Sequence, residues 1–109
     1  MDKIAVISDI HGNLPALEAV LEDIAARGVE TIYCLGDLIG KGPSGDAAID
    51  LVRRHCKAVI RGNWDDFVPR ESDPESEVVR WHQSVIGEER MDYLRSLPFM
   101  IEFVLSGKR

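Results

Sequence analysis

Four residues of this 109-residue chain have the types and placement of a metal centre: Asp9 and His11, two apart, then Asp37, then Asn63. They stand in the strings Ser8-Asp9-Ile10-His11-Gly12-Asn13, Leu35-Gly36-Asp37 and Arg61-Gly62-Asn63-Trp64-Asp65. Carboxylate oxygens, an amide oxygen and an imidazole nitrogen are the donors that collect divalent cations. A carboxylate can bridge two cations, whereas the amide and the imidazole each end on one, so Asp37 is the natural bridge. Two ions about 3.5–4 Å apart sharpen a bridging water into hydroxide and steady a phosphoryl transition state. Gly12, Gly36 and Gly62 stand beside these residues and permit close backbone approach.

Such a site needs its residues at one edge of a sheet, and the flanking sequence supplies that. Residues 3–8 carry Ile4, Ala5, Val6 and Ile7 in a continuous apolar run, the pattern of a parallel strand covered on both faces. Thr31 to Leu35 and Ala58 to Ile60 read as the second and third strands. Leu14, Leu17, Leu21 and Ile24 recur at helical spacing after a capping Asn13, with Pro15 in the first turn and Gly28 as the stop. The positive end of that helix faces the same edge and suits a phosphate. A glycine-rich loop follows Leu35, and Ala48, Leu51 and Val52 mark a second helix. The alternation gives an α/β fold, β-α-β-α-β with right-handed crossovers. All four candidate ligands then leave the carboxyl ends of parallel strands, where open α/β sheets bind ligands.

Beyond the third strand the stretch from Pro69 to Ser76 is polar and reads as a loop. Asp73 and Pro74 suit the start of a helix carrying Val78, Trp81 and Val85, with Trp81 expected in the core, and Gly87 ends it. A short helix carries Met91 and Leu94, and Phe99 to Leu105 alternates like a fourth strand. Ser106 to Arg109 then resembles a hairpin turn with no returning strand, which is expected of a domain cut part-way.

The net charge of −6 lacks the clustered Lys and Arg of a nucleic-acid footprint. It leaves room for small phosphorylated substrates, because bound cations reverse the local field. No apolar stretch reaches transmembrane length, and Met1-Asp2-Lys3-Ile4 enters a strand with no signal peptide in view. Cys34 and Cys56 match no zinc or redox spacing and read as two reduced thiols, so a cytoplasmic location is expected.

The strings Asp9-Ile10-His11, Gly36-Asp37 and Gly62-Asn63 resemble the first three motifs of the calcineurin-like metallophosphoesterases. The longer Ser8-Asp9-Ile10-His11-Gly12-Asn13-Leu14 and Gly36-Asp37-Leu38-Ile39-Gly40 are similar to the family's bacterial and archaeal phosphodiesterase-like branch. The resemblance implies an αββα sandwich, of which the chain would be the N-terminal half of a single domain over 1–109. It also implies two divalent ions, Mn²⁺ or Fe first, with Zn²⁺, Ni²⁺ and Co²⁺ as alternatives. Asp9 and His11 would bind the first ion, Asp37 would bridge, and Asn63 would bind the second. The implied reaction is hydrolysis of a phosphomonoester, a phosphodiester or a dinucleoside polyphosphate by a metal-bridging hydroxide.

The chain departs from the family at two places. The third motif usually continues with a histidine that serves as general acid, and Trp64 stands there. An indole N–H donates a hydrogen bond but delivers no proton at neutral pH, which favours a phosphodiester or nucleotide anhydride with a good leaving group. Asp65 or Asp66 would either bind through water or hold the loop. The family's later histidines, including a Gly-His-x-His pair, are not in this sequence, and His55 and His82 read as surface or packing histidines. Lys41 and Asn13 are candidates to contact a substrate phosphate, and Trp64 or Trp81 to line a base-stacking surface. The alternative to an enzyme is a catalytically incomplete fragment, or a binding or scaffold protein on the same fold.

Overall fold

Three short strands and five helices form in a computed structural model that describes residues 3–70 and 76–102. The order is β1 (Ile4–Ile7), α1 (Leu14–Ala26), β2 (Thr31–Cys34), α2 (Gly45–His55), β3 (Ala58–Val59), α3 (Asn63–Arg70), α4 (Glu77–Ile86) and α5 (Glu88–Ser96). The strands are parallel and lie in chain order, β1-β2-β3, with Ile7 opposite Cys34 and Cys34 opposite Val59.

Each helix boundary has a local cause. The Asn13 side-chain oxygen accepts from the Ala16 N–H at 3.2 Å, which caps α1. Gly28, at φ +71°, turns the chain out of that helix. Arg53, Arg54 and His55 close α2, where cations complement the carbonyl end. The Ser76 hydroxyl caps α4 by accepting from Val79 N–H, and Gly87 at φ +81° separates α4 from α5. Two ion pairs, Arg53–Glu89 at 2.8 Å and Arg90–Asp50 at 2.7 Å, tie α2 to α5.

One core runs through these elements. Ile7, Ile32, Cys34 and Val59 project from one face of the sheet against Leu17 and Ile24 of α1 and Ala48, Ile49 and Val52 of α2. Val68, Ile86, Met91 and Leu94 extend it through α3, α4 and α5. Side-chain alternation puts Val6 and Leu35 on the opposite face, where they are 52% and 45% exposed. Tyr33, opposite Val6 in the ladder, is buried on that same face. Right-handed crossovers between strands in chain order carry α1 and α2 to the same side.

Three differences from expectation appear. Residues 63–70 form α3, a helix not expected, and it takes in Pro69 and Arg70 from the stretch expected as a loop. α4 starts at Glu77, so Asp73 and Pro74 lie outside the described residues. Phe99 to Glu102 form no strand, and the rest of that expected strand, with the Ser106–Arg109 turn, lies outside the described residues. An extended segment becomes a strand only with a ladder partner; just before this segment, Arg61 N–H donates to the Pro98 carbonyl at 2.7 Å.

Candidate metal centre

The loops after β1 and β2 are zipped together by main-chain bonds. Asp9 N–H donates to the Gly36 carbonyl (3.2 Å), His11 N–H to Asp37 (2.9 Å) and Gly12 N–H to Leu38 (2.8 Å). To follow that path, Asp9, His11 and Asp37 all take left-handed backbone angles, with φ of +54°, +49° and +56°. L-residues avoid this region because Cβ crowds the carbonyl oxygen, and non-glycine residues held there cluster at functional sites. The third loop closes in through glycine: a Cβ on Gly62 would lie 2.3 Å from Asp37 N, and one on Gly36 would lie 2.4 Å from Gly62 N.

This path gathers the first three candidate ligands. Asp9, His11 and Asp37 each offer a donor atom within 4.8 Å of the others. His11 Nδ1 sits 3.0 Å from the Ile39 carbonyl oxygen, which can only accept, so Nδ1 carries the proton. The lone pair is then on Nε2, which lies 3.4 Å from Asp9 Oδ1, as a metal-ligating imidazole requires. Asp37 Oδ1 accepts from the Trp64 N–H at 3.0 Å, which fixes the carboxylate's orientation. The exposed Asn63 opens α3, immediately before that Trp64. Two carboxylates and one tautomer-fixed imidazole are a donor set that fits a divalent cation.

Asp65 takes the loop-holding role of the two open to it. It is fully buried, and its carboxylate accepts three main-chain N–H bonds: Asp37 (2.7 Å), Leu38 (2.9 Å) and Gly62 (3.0 Å). Burial pushes its carboxyl above the usual range, and the three donors pull against that shift. Asp66 pairs with Arg61 at 3.0 Å. Arg61 also donates to the Leu97 and Arg95 carbonyls at the end of α5, a structural clamp.

The remaining candidates fall around this core. Lys41 and Asn13 line one cleft of about 580 Å³ together with Asp9, His11 and Ser44. Trp64 is half-buried, edge-on to Phe67 (6.4 Å between ring centroids) and to His82 (6.2 Å). Gly40 lies between the rings of Trp64 and His11, where a Cβ would come within 3.0 Å and 3.1 Å of them. His82 is buried between helices and its imidazole is pushed down by that burial, while His55 is on the surface. Trp81 was expected in the core but is 44% exposed, resting by one edge on His82. Its position on the helix follows from the start at Glu77, which turns Val79, His82 and Ile86 inward instead. The Ile39 carbonyl that sets the His11 tautomer was not foreseen, since a main-chain acceptor leaves no mark in the sequence.

The family model for calcineurin-like phosphoesterases matches residues 2–105. Phosphodiesterase YfcE of Escherichia coli K12 is 33% identical over 101 residues, covering 84% of this chain and 55% of that protein. A symmetrical bis(5'-nucleosyl)-tetraphosphatase of Neisseria meningitidis is 28% identical over 107 residues, covering 87% of this chain and 38% of that protein. The crystal structure of a metallophosphoesterase from Sphaerobacter thermophilus superposes with a TM-score of 0.78 at 38% identity, over 91% of this chain and 43% of that one. The chain thus spans about half the length, or less, of the relatives it matches.

Proposed function

The chain belongs to the calcineurin-like phosphoesterases, and on that premise we propose that it carries part of a dinuclear metal site for hydrolysing phosphodiester or nucleotide anhydride bonds. The observation that carries this reading is the cluster of Asp9, His11 and Asp37, drawn together by three left-handed backbone turns and one fixed tautomer. Asp9 and His11 Nε2 would hold one ion, Asp37 both, and Asn63 the second. The ions, Mn²⁺ or Fe first and Zn²⁺, Ni²⁺ or Co²⁺ otherwise, supply Lewis acidity and an activated water when bound.

The chain's own groups do the rest. The N-terminus of α1 at Asn13 and the Lys41 ammonium face the cleft and would orient a phosphate. Trp64, in the place of a proton donor, gives a hydrogen bond at most, so the leaving group must depart without a strong acid. That favours a phosphodiester or a dinucleoside polyphosphate over a monoester, in keeping with the names of the Escherichia and Neisseria relatives. We read residues 1–109 as the N-terminal half of such a domain, in keeping with the half-length coverage. A cytoplasmic setting goes with the free thiols of Cys34 and Cys56, and no described helix is long and apolar enough to cross a membrane.

The test compares the wild-type chain with Asp37→Asn for Mn²⁺ uptake and for Mn²⁺-dependent hydrolysis of bis(p-nitrophenyl) phosphate and a dinucleoside tetraphosphate. Asp37→Asn should abolish both uptake and turnover. Wild-type uptake and turnover in the variant would refute the bridging role. Uptake without turnover in the wild type would favour the incomplete or scaffold reading.

A further inference from the structure

Asp65 touches none of the candidate ligand side chains, yet its carboxylate reaches both loops that carry Asp37 and Asn63. One oxygen, Oδ2, accepts from Asp37 N–H and from Gly62 N–H, so a single atom joins the loop after β2 to the loop after β3. The other, Oδ1, accepts from Leu38 N–H. In return Asp37 Oδ1 accepts from Trp64 N–H, the residue before Asp65. The two carboxylates therefore brace each other's backbone. Between them Gly36 and Gly62 abut without side chains, so the two loops lie closer than any Cβ would allow.

We infer that Asp65 is a positioning residue of the metal centre: its buried carboxylate holds Asp37 in its left-handed turn at a fixed distance from Asn63. This rests on the metal reading above. A carboxylate is required because all three partners are donors. An amide of the same shape offers one acceptor oxygen and turns its NH₂ toward an N–H. Bonds from N–H groups to an ionised oxygen are shorter and stronger than neutral ones. Groups that orient metal ligands in this way typically govern affinity by about 10–100-fold.

The test uses Asp65→Asn, with Val68→Ala as a control that removes buried volume from the same helix without touching the three N–H groups. Mn²⁺ affinity is measured by the electron-spin resonance of free Mn²⁺, and amide hydrogen exchange is measured on metal-free protein. Asp65→Asn should weaken Mn²⁺ by about 10–100-fold, and Val68→Ala should leave affinity at the wild-type value. Amides of Asp37 and Leu38 should exchange faster in Asp65→Asn relative to those of Ile49 and Val52. Unchanged affinity, or the same loss in both variants, would overturn the positioning role. If the wild type takes up no Mn²⁺, the metal reading falls, and unaltered protection at Asp37 and Leu38 would separately overturn the brace. Should Asp65→Asn not fold, exchange in the wild type decides: unprotected amides at Asp37, Leu38 and Gly62 would refute the inference.

Discussion

Replacing Asp9 by glycine and, separately, by alanine isolates the backbone strain at the metal centre. Both substitutions remove the same carboxylate, which is 67% exposed, accepts from the Ser8 hydroxyl at 3.0 Å and lies 3.4 Å from His11 Nε2. The variants differ in one Cβ, at a residue whose φ is +54°. Alanine in the left-handed region costs roughly 1–2 kcal/mol. Glycine costs about 0.4–1 kcal/mol through the freedom it adds to the unfolded chain. The difference leaves Asp9→Gly more stable than Asp9→Ala by up to about 1.6 kcal/mol. For a domain of this size each kcal/mol moves Tm by about 4–8 °C. Urea unfolding followed by circular dichroism, in EDTA at neutral pH, measures the gap. An alanine variant more stable than the glycine variant by about 0.4–1 kcal/mol, the contribution of backbone freedom alone, would show that the turn is unstrained. Adding Mn²⁺ at about a hundred times the wild-type Kd should then stabilise the wild type by about 2.7 kcal/mol and both variants far less.

Two other outcomes are expected. Burial holds the His82 imidazole below its ordinary pKa of 6.5, so the unfolded chain takes up the proton first; stability is full above that value and declines as pH falls through it toward the folded-state pKa. His82→Phe should flatten the urea midpoint between roughly pH 7.5 and 5.5, and an unchanged slope would assign the acid sensitivity elsewhere. Gly62→Ala, whose Cβ would meet Asp37 N at 2.3 Å, should cost about 1–3 kcal/mol and lower metal affinity. Gly28→Ala, with φ of +71° and no atom within 4 Å, should cost at most about 1.6 kcal/mol and leave metal affinity intact; metal affinities affected alike would contradict the packing account.

The strands and the flanking helices were legible because apolar runs bounded by Asn13, Gly28 and Gly87 state their own limits. α3 was not, since Asn63-Trp64-Asp65-Asp66 has the composition of a turn and Pro69 argues against a helix. It holds because Asp65 and Asp66 in its first turn are tied to main-chain donors and to Arg61. Phe99 to Glu102 shows the reverse: alternation was present in the sequence, but a partner strand is not a property of the segment itself. The candidate ligands Asp9, His11 and Asp37 were readable from their places after strands, and the structure brings them together. Their backbone angles, the Ile39 acceptor and the three donors to Asp65 were not readable, because every main chain carries the same N–H and C=O groups.

The strands lie in space in the order in which they are linked. During synthesis, each ladder can therefore close as soon as its second strand exists, with no gap held open for a later segment. Asp9 and His11 precede the turn that places Asp37, and Asp65 comes last, 28 residues beyond the N–H of Asp37 that it fixes. A growing chain that ends at Ile60 has all three strands and three of the four candidate ligands, but lacks the carboxylate that accepts from the Asp37 N–H. The scaffold therefore precedes the braced loops in time, and any metal affinity that depends on Asp65 would come only after the sheet is built.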